Sequence, residues 1–155
     1  MKCCVREGGR EMERRQLAGC LAGLAIALIV VGLVSGTILR HIVQIVPVVT
    51  AGIVVIRRPA IGAYAALPIF IFWMFIVSLI WLFLAGLSRI ANGQYTVLEI
   101  ISTIVMAACC GYGVIRAIRI GRPSPVGWRI ATFLGFAALQ FVAMWISFMP
   151  SVANR

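Results

Sequence analysis

Glu99 is the strongest candidate for chemistry in this sequence, because it is the only acidic residue beyond the first sixteen positions. A carboxylate among apolar residues can carry a proton or bind a cation. Thr103 follows one helical turn later on the same face, which predicts the start of a polar path. Thr96 and Glu99 also have the T-x-x-E spacing of a helix capping box, and the sequence favours this structural role.

Ser78 and Gln140 are isolated polar residues within long apolar stretches. With Glu99 and Thr103 they are the candidate lining of a path for a small solute or ion. Hydrogen bonds between helices explain such residues more simply, at about 0.6 to 2 kcal/mol each. The path is therefore an alternative to a purely structural role for these side chains.

Catalytic and metal-binding sets are not visible in the sequence. The chain has one histidine, His41, no aspartate and four glutamates. A lone histidine cannot hold a metal or haem without ligands from elsewhere. The five cysteines include two adjacent pairs and fit no disulfide framework: Cys3, Cys4, Cys20, Cys109 and Cys110. We therefore expect a protein that is not an enzyme and that has no cofactor, metal site or catalytic residue.

The elements that position these residues are predicted to be membrane-spanning helices. Hydrophobic residues make up 63% of the 155 residues, charged residues only 12%, and the mean hydropathy is +1.08. Such a chain cannot coat a soluble domain with polar surface. The stretch 68–87 carries no charge and has the length that a helix needs to cross a bilayer.

The neighbouring segments have a similar chemistry, and they predict an all-α integral membrane protein. We expect a bundle of five transmembrane helices between a cytoplasmic N-terminal tail, 1–16, and a short C-terminal tail, 150–155. The approximate spans are 17–39, 41–56, 68–87, 97–115 and 130–149.

The second predicted span is short: 41–56 has sixteen residues, about 24 Å of helix, and contains Pro47. The alternative is four helices plus a short or re-entrant segment. Five helices place eleven Lys and Arg residues on the side of the N-terminus and three on the other, whereas four helices place seven on each side. The positive-inside rule thus favours five spans in a bacterial inner membrane, with the N-terminus in the cytoplasm and the C-terminus outside. Met12 is a second candidate start of the chain.

Two sets of side chains predict close helix packing. Small residues form a stripe along the first span, where they let another helix approach closely: Ala18, Ala22, Ala25, Gly32 and Gly36. The aromatic residues of the third span form two opposed faces, each offered to a different partner. One face has Phe70, Trp73 and Trp81, and the other has Phe72, Phe75 and Phe83.

The net charge of +10 does not indicate a nucleic-acid partner, since the basic residues sit in short clusters between apolar runs. One cluster is expected to contact anionic lipid headgroups on the cytoplasmic side: Arg116, Arg119, Arg122 and Arg129. Packing residues outnumber reactive ones, so we expect a homo-oligomer or an accessory, scaffolding subunit of a larger membrane complex. A small transporter or channel component is the alternative.

Overall fold

A computed structural model describes the backbone of residues 2–87, 95–120 and 125–153, and the side chains of 11–87, 95–120, 125–150 and 152. Throughout these ranges the fold is helical, without strands. The helices are α1 (Lys2–Val34), α2 (Ile38–Arg57), α3 (Pro59–Leu84), α4 (Val97–Ile120), α5 (Val126–Ser147) and the single turn α6 (Pro150–Ala153).

Five of the described helices, α1 to α5, are each long and apolar enough to cross a membrane. The expectation of an all-helical chain with five apolar helices is therefore confirmed. The second helix is longer than the sequence predicted, because it has 20 residues and begins at Ile38. At about 1.5 Å per residue it reaches roughly 30 Å, the thickness of a hydrocarbon core.

The turn between α1 and α2 explains the longer second helix. Gly36 has a φ of +67°, a left-handed conformation that glycine adopts without the steric cost of a side chain. The amide of Thr37 then donates to the carbonyl of Gly32 at 2.8 Å, which closes the end of α1. As a result α1 ends at Val34, before the predicted residue 39, and residues 38–40 belong to α2.

The third helix also begins earlier than predicted. Its first residue is Pro59, where the missing N–H costs nothing, and Pro68 lies inside the helix instead of starting it. The buried residues of the added segment are all small: Gly62, Ala63, Ala65 and Ala66. Gly62 lies against the backbone of Val55 in α2, so the α2 and α3 hairpin is tight near its turn.

The helices form a ring of four with a fifth helix outside it. Each of α1 to α4 packs on its two neighbours in the order α1, α2, α3, α4 and back to α1, while α1 and α3 barely meet across the centre. The described part of α5 lies in the outer groove between α2 and α3 and touches neither α1 nor α4. The core is filled by apolar side chains without solvent exposure, among them Leu17, Leu24, Ile69 and Phe70.

Contacts between helices identify one basic end of the bundle. Arg14 donates to the carbonyl of Ile56 at 3.2 Å, and Arg116 lies 3.9 Å from the carboxylate of Glu13. At the opposite end Arg40 lies over the ring of Phe148, with 4.0 Å between the guanidinium carbon and the ring centroid. The alternation of helix direction therefore gathers the arginines of α1, α4 and the α2 and α3 turn at the same end.

Candidate polar and helix-packing sites

Glu99 forms the capping box that its spacing predicts. The Thr96 amide donates to Glu99 Oε2 at 2.7 Å, and the Glu99 amide donates back to Thr96 Oγ1 at 3.3 Å. The Thr96 hydroxyl also donates to Glu99 Oε2, at 2.9 Å. These bonds satisfy amides that the first turn of α4 leaves without helical partners.

The four side chains of the predicted polar path are not brought together. Thr103 is buried and donates to the carbonyl of Ile100 at 2.8 Å, while Ser78 is exposed and donates to the carbonyl of Met74 at 2.8 Å. Glu99 and Thr103 lie on α4, whereas Gln140 lies on α5, and the described parts of these two helices do not touch. The described residues therefore do not bring all four side chains to one place, and a polar path through them stays a prediction.

A polar contact that the sequence did not predict joins α2 to α5. The side-chain amide of Gln44 donates to the hydroxyl of Ser147 at 2.9 Å and contacts the sulfur of Met144 at 3.2 Å. Gln44 is 3% exposed and Ser147 is fully buried. The two residues are 103 positions apart in the sequence. The one sequence signal for this contact is that each is a polar residue within an apolar helix.

Gln140 lies on the same helix as Ser147, and it is 1% exposed. Neither its Oε1 nor its Nε2 atom has a hydrogen-bond partner, and the indole nitrogen of the buried Trp73 has none either. Buried polar groups in native proteins almost always have a partner, so these atoms require an explanation. They are the least satisfied part of the described interior.

The aromatic residues of α3 divide by depth in the bundle. Phe70 is fully buried, Trp73 is 4% exposed, and Phe72 makes an edge contact with Phe141 of α5 at 5.6 Å between ring centroids. Farther along the helix, Phe83 lies 5.9 Å from the ring of Tyr95. Two of the predicted side chains point outward, Phe75 at 60% and Trp81 at 41% exposure.

The small-residue stripe of α1 also divides into two parts. Gly32 is covered by His41 of α2, since an added β-carbon would lie 3.0 Å from the His41 ring, and Gly36 forms the turn. The remaining members face an open groove of about 230 Å³ between α1 and α2. We call this the small-residue groove, and its lining includes Ala18, Ala22, Ala25, Val48 and Gly52.

The arginines predicted to contact lipid headgroups differ in how many contacts they make with the protein itself. Arg116 is occupied by protein contacts, because it donates to the hydroxyl of Tyr112 at 2.5 Å and faces Glu13. Arg129 lies over the ring of Tyr64 at 5.6 Å, whereas Arg119 is exposed. Arg122 lies outside the described residues. Contact with anionic lipid stays a prediction for all four.

Three thiols meet where α1 packs on α4. The sulfur of Cys109 occupies the space above Gly23, where an added β-carbon would lie 2.8 Å from it. Cys20 precedes Gly23 by one turn on the same face, and Cys110 is fully buried beside them. In the described chain no three His, Cys, Asp or Glu side chains are arranged to hold a metal ion.

With this geometry the chain can be compared with known proteins. No protein family, curated protein or solved structure matches it. Information on its function therefore comes from the surfaces of the fold. The most informative of these are the small-residue groove and the polar interface between α2 and α5.

Proposed function

We propose that the chain is a non-enzymatic multi-pass membrane protein that works as a homo-oligomer, with a second copy bound at the small-residue groove. The observation that carries this proposal is the open groove formed by Ala18, Ala22 and Ala25 on the outside of the bundle. Small side chains allow two helix backbones to approach closely, and this close packing is a main source of helix association in lipid. Here that surface is free within the single chain.

Charge at the basic end supports a second copy as the occupant. Arg15 and Glu11 lie on the same face of α1 as the stripe, one turn and two turns before Ala18, respectively. The carboxylate of Glu11 pairs with Arg14 at 2.6 Å and with Arg15 at 3.1 Å, and the side chain of Arg15 is 79% exposed. Such an ion-pair cluster can exchange partners with the same cluster of a second copy, so that Glu11 of one copy also pairs with Arg15 of the other.

The placement of the polar residues also favours association over transport. The predicted path needs Glu99 and Gln140 to act together, yet they lie on helices that do not touch in the described chain. Glu99 is held in its capping box, which gives it a structural role. An accessory subunit of a different membrane complex is the competing outcome, and the experiment below distinguishes it.

We also propose a bacterial inner-membrane location with the N-terminus in the cytoplasm. The support is the basic end of the bundle, since Lys and Arg accumulate on the cytoplasmic side of membrane proteins. Arg119, which is exposed there, is then available to anionic lipid headgroups. An impermeant thiol reagent added outside intact cells is expected to leave Cys3 and Cys4 unmodified. Labelling of either residue would show that the N-terminus lies outside the cell.

The oligomer is tested by enlarging one alanine in the groove. Ala22→Phe fills the small-residue groove, whereas Ala108→Phe places the same ring on the exposed face of α4 and serves as the matched control. Native mass spectrometry of the detergent-extracted protein is expected to show a multimer for the unaltered chain and Ala108→Phe, and a monomer for Ala22→Phe. A monomeric unaltered chain would overturn the proposal, as would the same response in both variants. Co-purification of a different protein with that monomer would identify an accessory subunit.

A further inference from the structure

We propose that the interface between α2 and α5 binds internal water at the middle of the membrane, with the side chain of Gln140 as the main hydrogen-bond partner of that water. This inference is independent of the oligomeric state. It begins with the two unpartnered amide atoms of Gln140, which is 1% exposed. A primary amide offers two N–H donors and one carbonyl acceptor. Leaving all of these without a partner in an apolar interior carries a large free-energy cost, which a bound water removes.

The surroundings of Gln140 provide further polar groups along one line. Ser147 follows Gln140 by seven residues, or two helical turns, on the same face of α5, and there it accepts the hydrogen bond from Gln44. Between these levels α2 contains the buried Pro47, which has no N–H to donate to the carbonyl of Val43. We call this line of groups the α2–α5 polar seam. It runs from the end of the bundle that carries Arg40 toward mid-membrane.

The chemistry of the seam selects a neutral occupant that both donates and accepts hydrogen bonds. Its described side chains, Gln44, Ser147 and Gln140, are uncharged and offer donors and acceptors together. An ion would lack a counter-charge there and would pay a large desolvation cost. Water needs two to four polar partners, and the amide of Gln140 alone supplies both kinds.

Trp73 extends the same site toward α3. Its indole nitrogen is an unpartnered donor, and the residue is 4% exposed. Phe72 contacts Phe141 at 5.6 Å between ring centroids, so their sequence neighbours Trp73 and Gln140 lie at the same level of the bundle. A second donor at this depth strengthens the case for a bound oxygen atom.

Radiolytic footprinting in water labelled with oxygen-18 tests this site directly. X-rays convert bound water to hydroxyl radicals, which oxidise methionine sulfur within reach. Met144 lies in the seam, where its sulfur contacts the Gln44 amide at 3.2 Å, and Met106, 3% exposed in the core, is the internal control. We expect several-fold more labelled oxygen on Met144 than on Met106 in the detergent-solubilised full chain. Gln140→Leu is expected to lower the Met144 label to the level of Met106.

Two results would overturn the proposal. One is the absence of label on Met144 in the unaltered protein, and the other is an unchanged label in Gln140→Leu. If the leucine variant does not fold, Gln140→Met preserves the length of the side chain without its hydrogen bonds and gives the same comparison. If Met144 is unlabelled and a small carbonyl compound co-purifies with the protein, the site binds this lipid-soluble compound and does not bind water.

Discussion

The ring of Phe70 lies directly on Gly113, so closely that a β-carbon at Gly113 would stand 2.5 Å from Phe70 Cζ. This contact joins α3 to α4 within the ring of four helices. Phe70 is fully buried, so a shift of its ring would have to displace other core side chains. The absence of a side chain at residue 113 is therefore a requirement of the packing.

We expect Gly113→Ala to destabilise the bundle by about 1 to 3 kcal/mol, the usual cost of overpacking a core. Thermal unfolding in detergent, followed by circular dichroism, measures the effect. Gly135→Ala is the matched control, because an added β-carbon at this position on α5 meets no atom within 4 Å. Equal stability of the two variants would show that Phe70 does not occupy this position.

Gly62→Ala is expected to be more damaging than Gly113→Ala. An added β-carbon at Gly62 would lie 2.5 Å from the backbone nitrogen of Val55, and a backbone atom cannot rotate away as a side chain can. We expect a loss above the ~1 to 3 kcal/mol typical of overpacking, or failure to fold. Gly135→Ala, in the interior of α5 and without a neighbour within 4 Å, again controls for helix propensity. The yield of monodisperse protein and its unfolding temperature are the measurements, and similar values for the two variants would contradict the tight turn.

Replacement of Glu99 separates a capping role from a role in proton transfer. Glu99→Ala removes the acceptor for the Thr96 amide and is expected to cost about 0.5 to 2 kcal/mol. Glu99→Gln preserves a side-chain oxygen at the same place, so we expect a smaller loss, because capping boxes accept either residue. Thermal unfolding of both variants checks the order. A proton-dependent activity abolished equally by both substitutions would instead assign Glu99 to chemistry.

The thiols of α1 and α4 provide a test of the helix arrangement. Cys109 lies over Gly23, one turn from Cys20, so a short bifunctional thiol reagent is expected to link Cys20 to Cys109 in membranes. Peptide mass spectrometry identifies the linked pair. Cys110→Ser should preserve this link and Cys109→Ser should abolish it. A link formed equally well in the Cys109→Ser variant would mean that α4 is rotated relative to the described packing.

The sequence predicted the features that depend on local composition and spacing. Five apolar helices follow from the length and hydropathy of each segment, because a chain in lipid must satisfy its backbone hydrogen bonds within each helix. The capping box at Glu99 was equally predictable, since Thr96 is only three residues away and the contact lies within one turn.

The helix boundaries were less accessible to sequence reasoning. The sequence placed Pro68 at the start of the third helix, but the helix continues through it from Pro59. The preceding small residues gain enough packing to extend it, as the contact of Gly62 with Val55 shows. Packing between helices outweighed the tendency of Pro68 to begin a new helix. Such packing depends on two helices together, so the sequence of one segment does not reveal it.

The long-range polar contacts were decided only by tertiary structure. Gln44 and Ser147 meet although 103 positions separate them, and Glu99 and Gln140 stay apart although both lie in apolar surroundings. The position of α5 outside the ring, between α2 and α3, produces both results. Sequence by itself thus determined that this protein is a set of apolar helices and where its polar side chains occur. Which of those side chains share an interface was set by helix packing, because apolar faces of similar composition do not specify their neighbours.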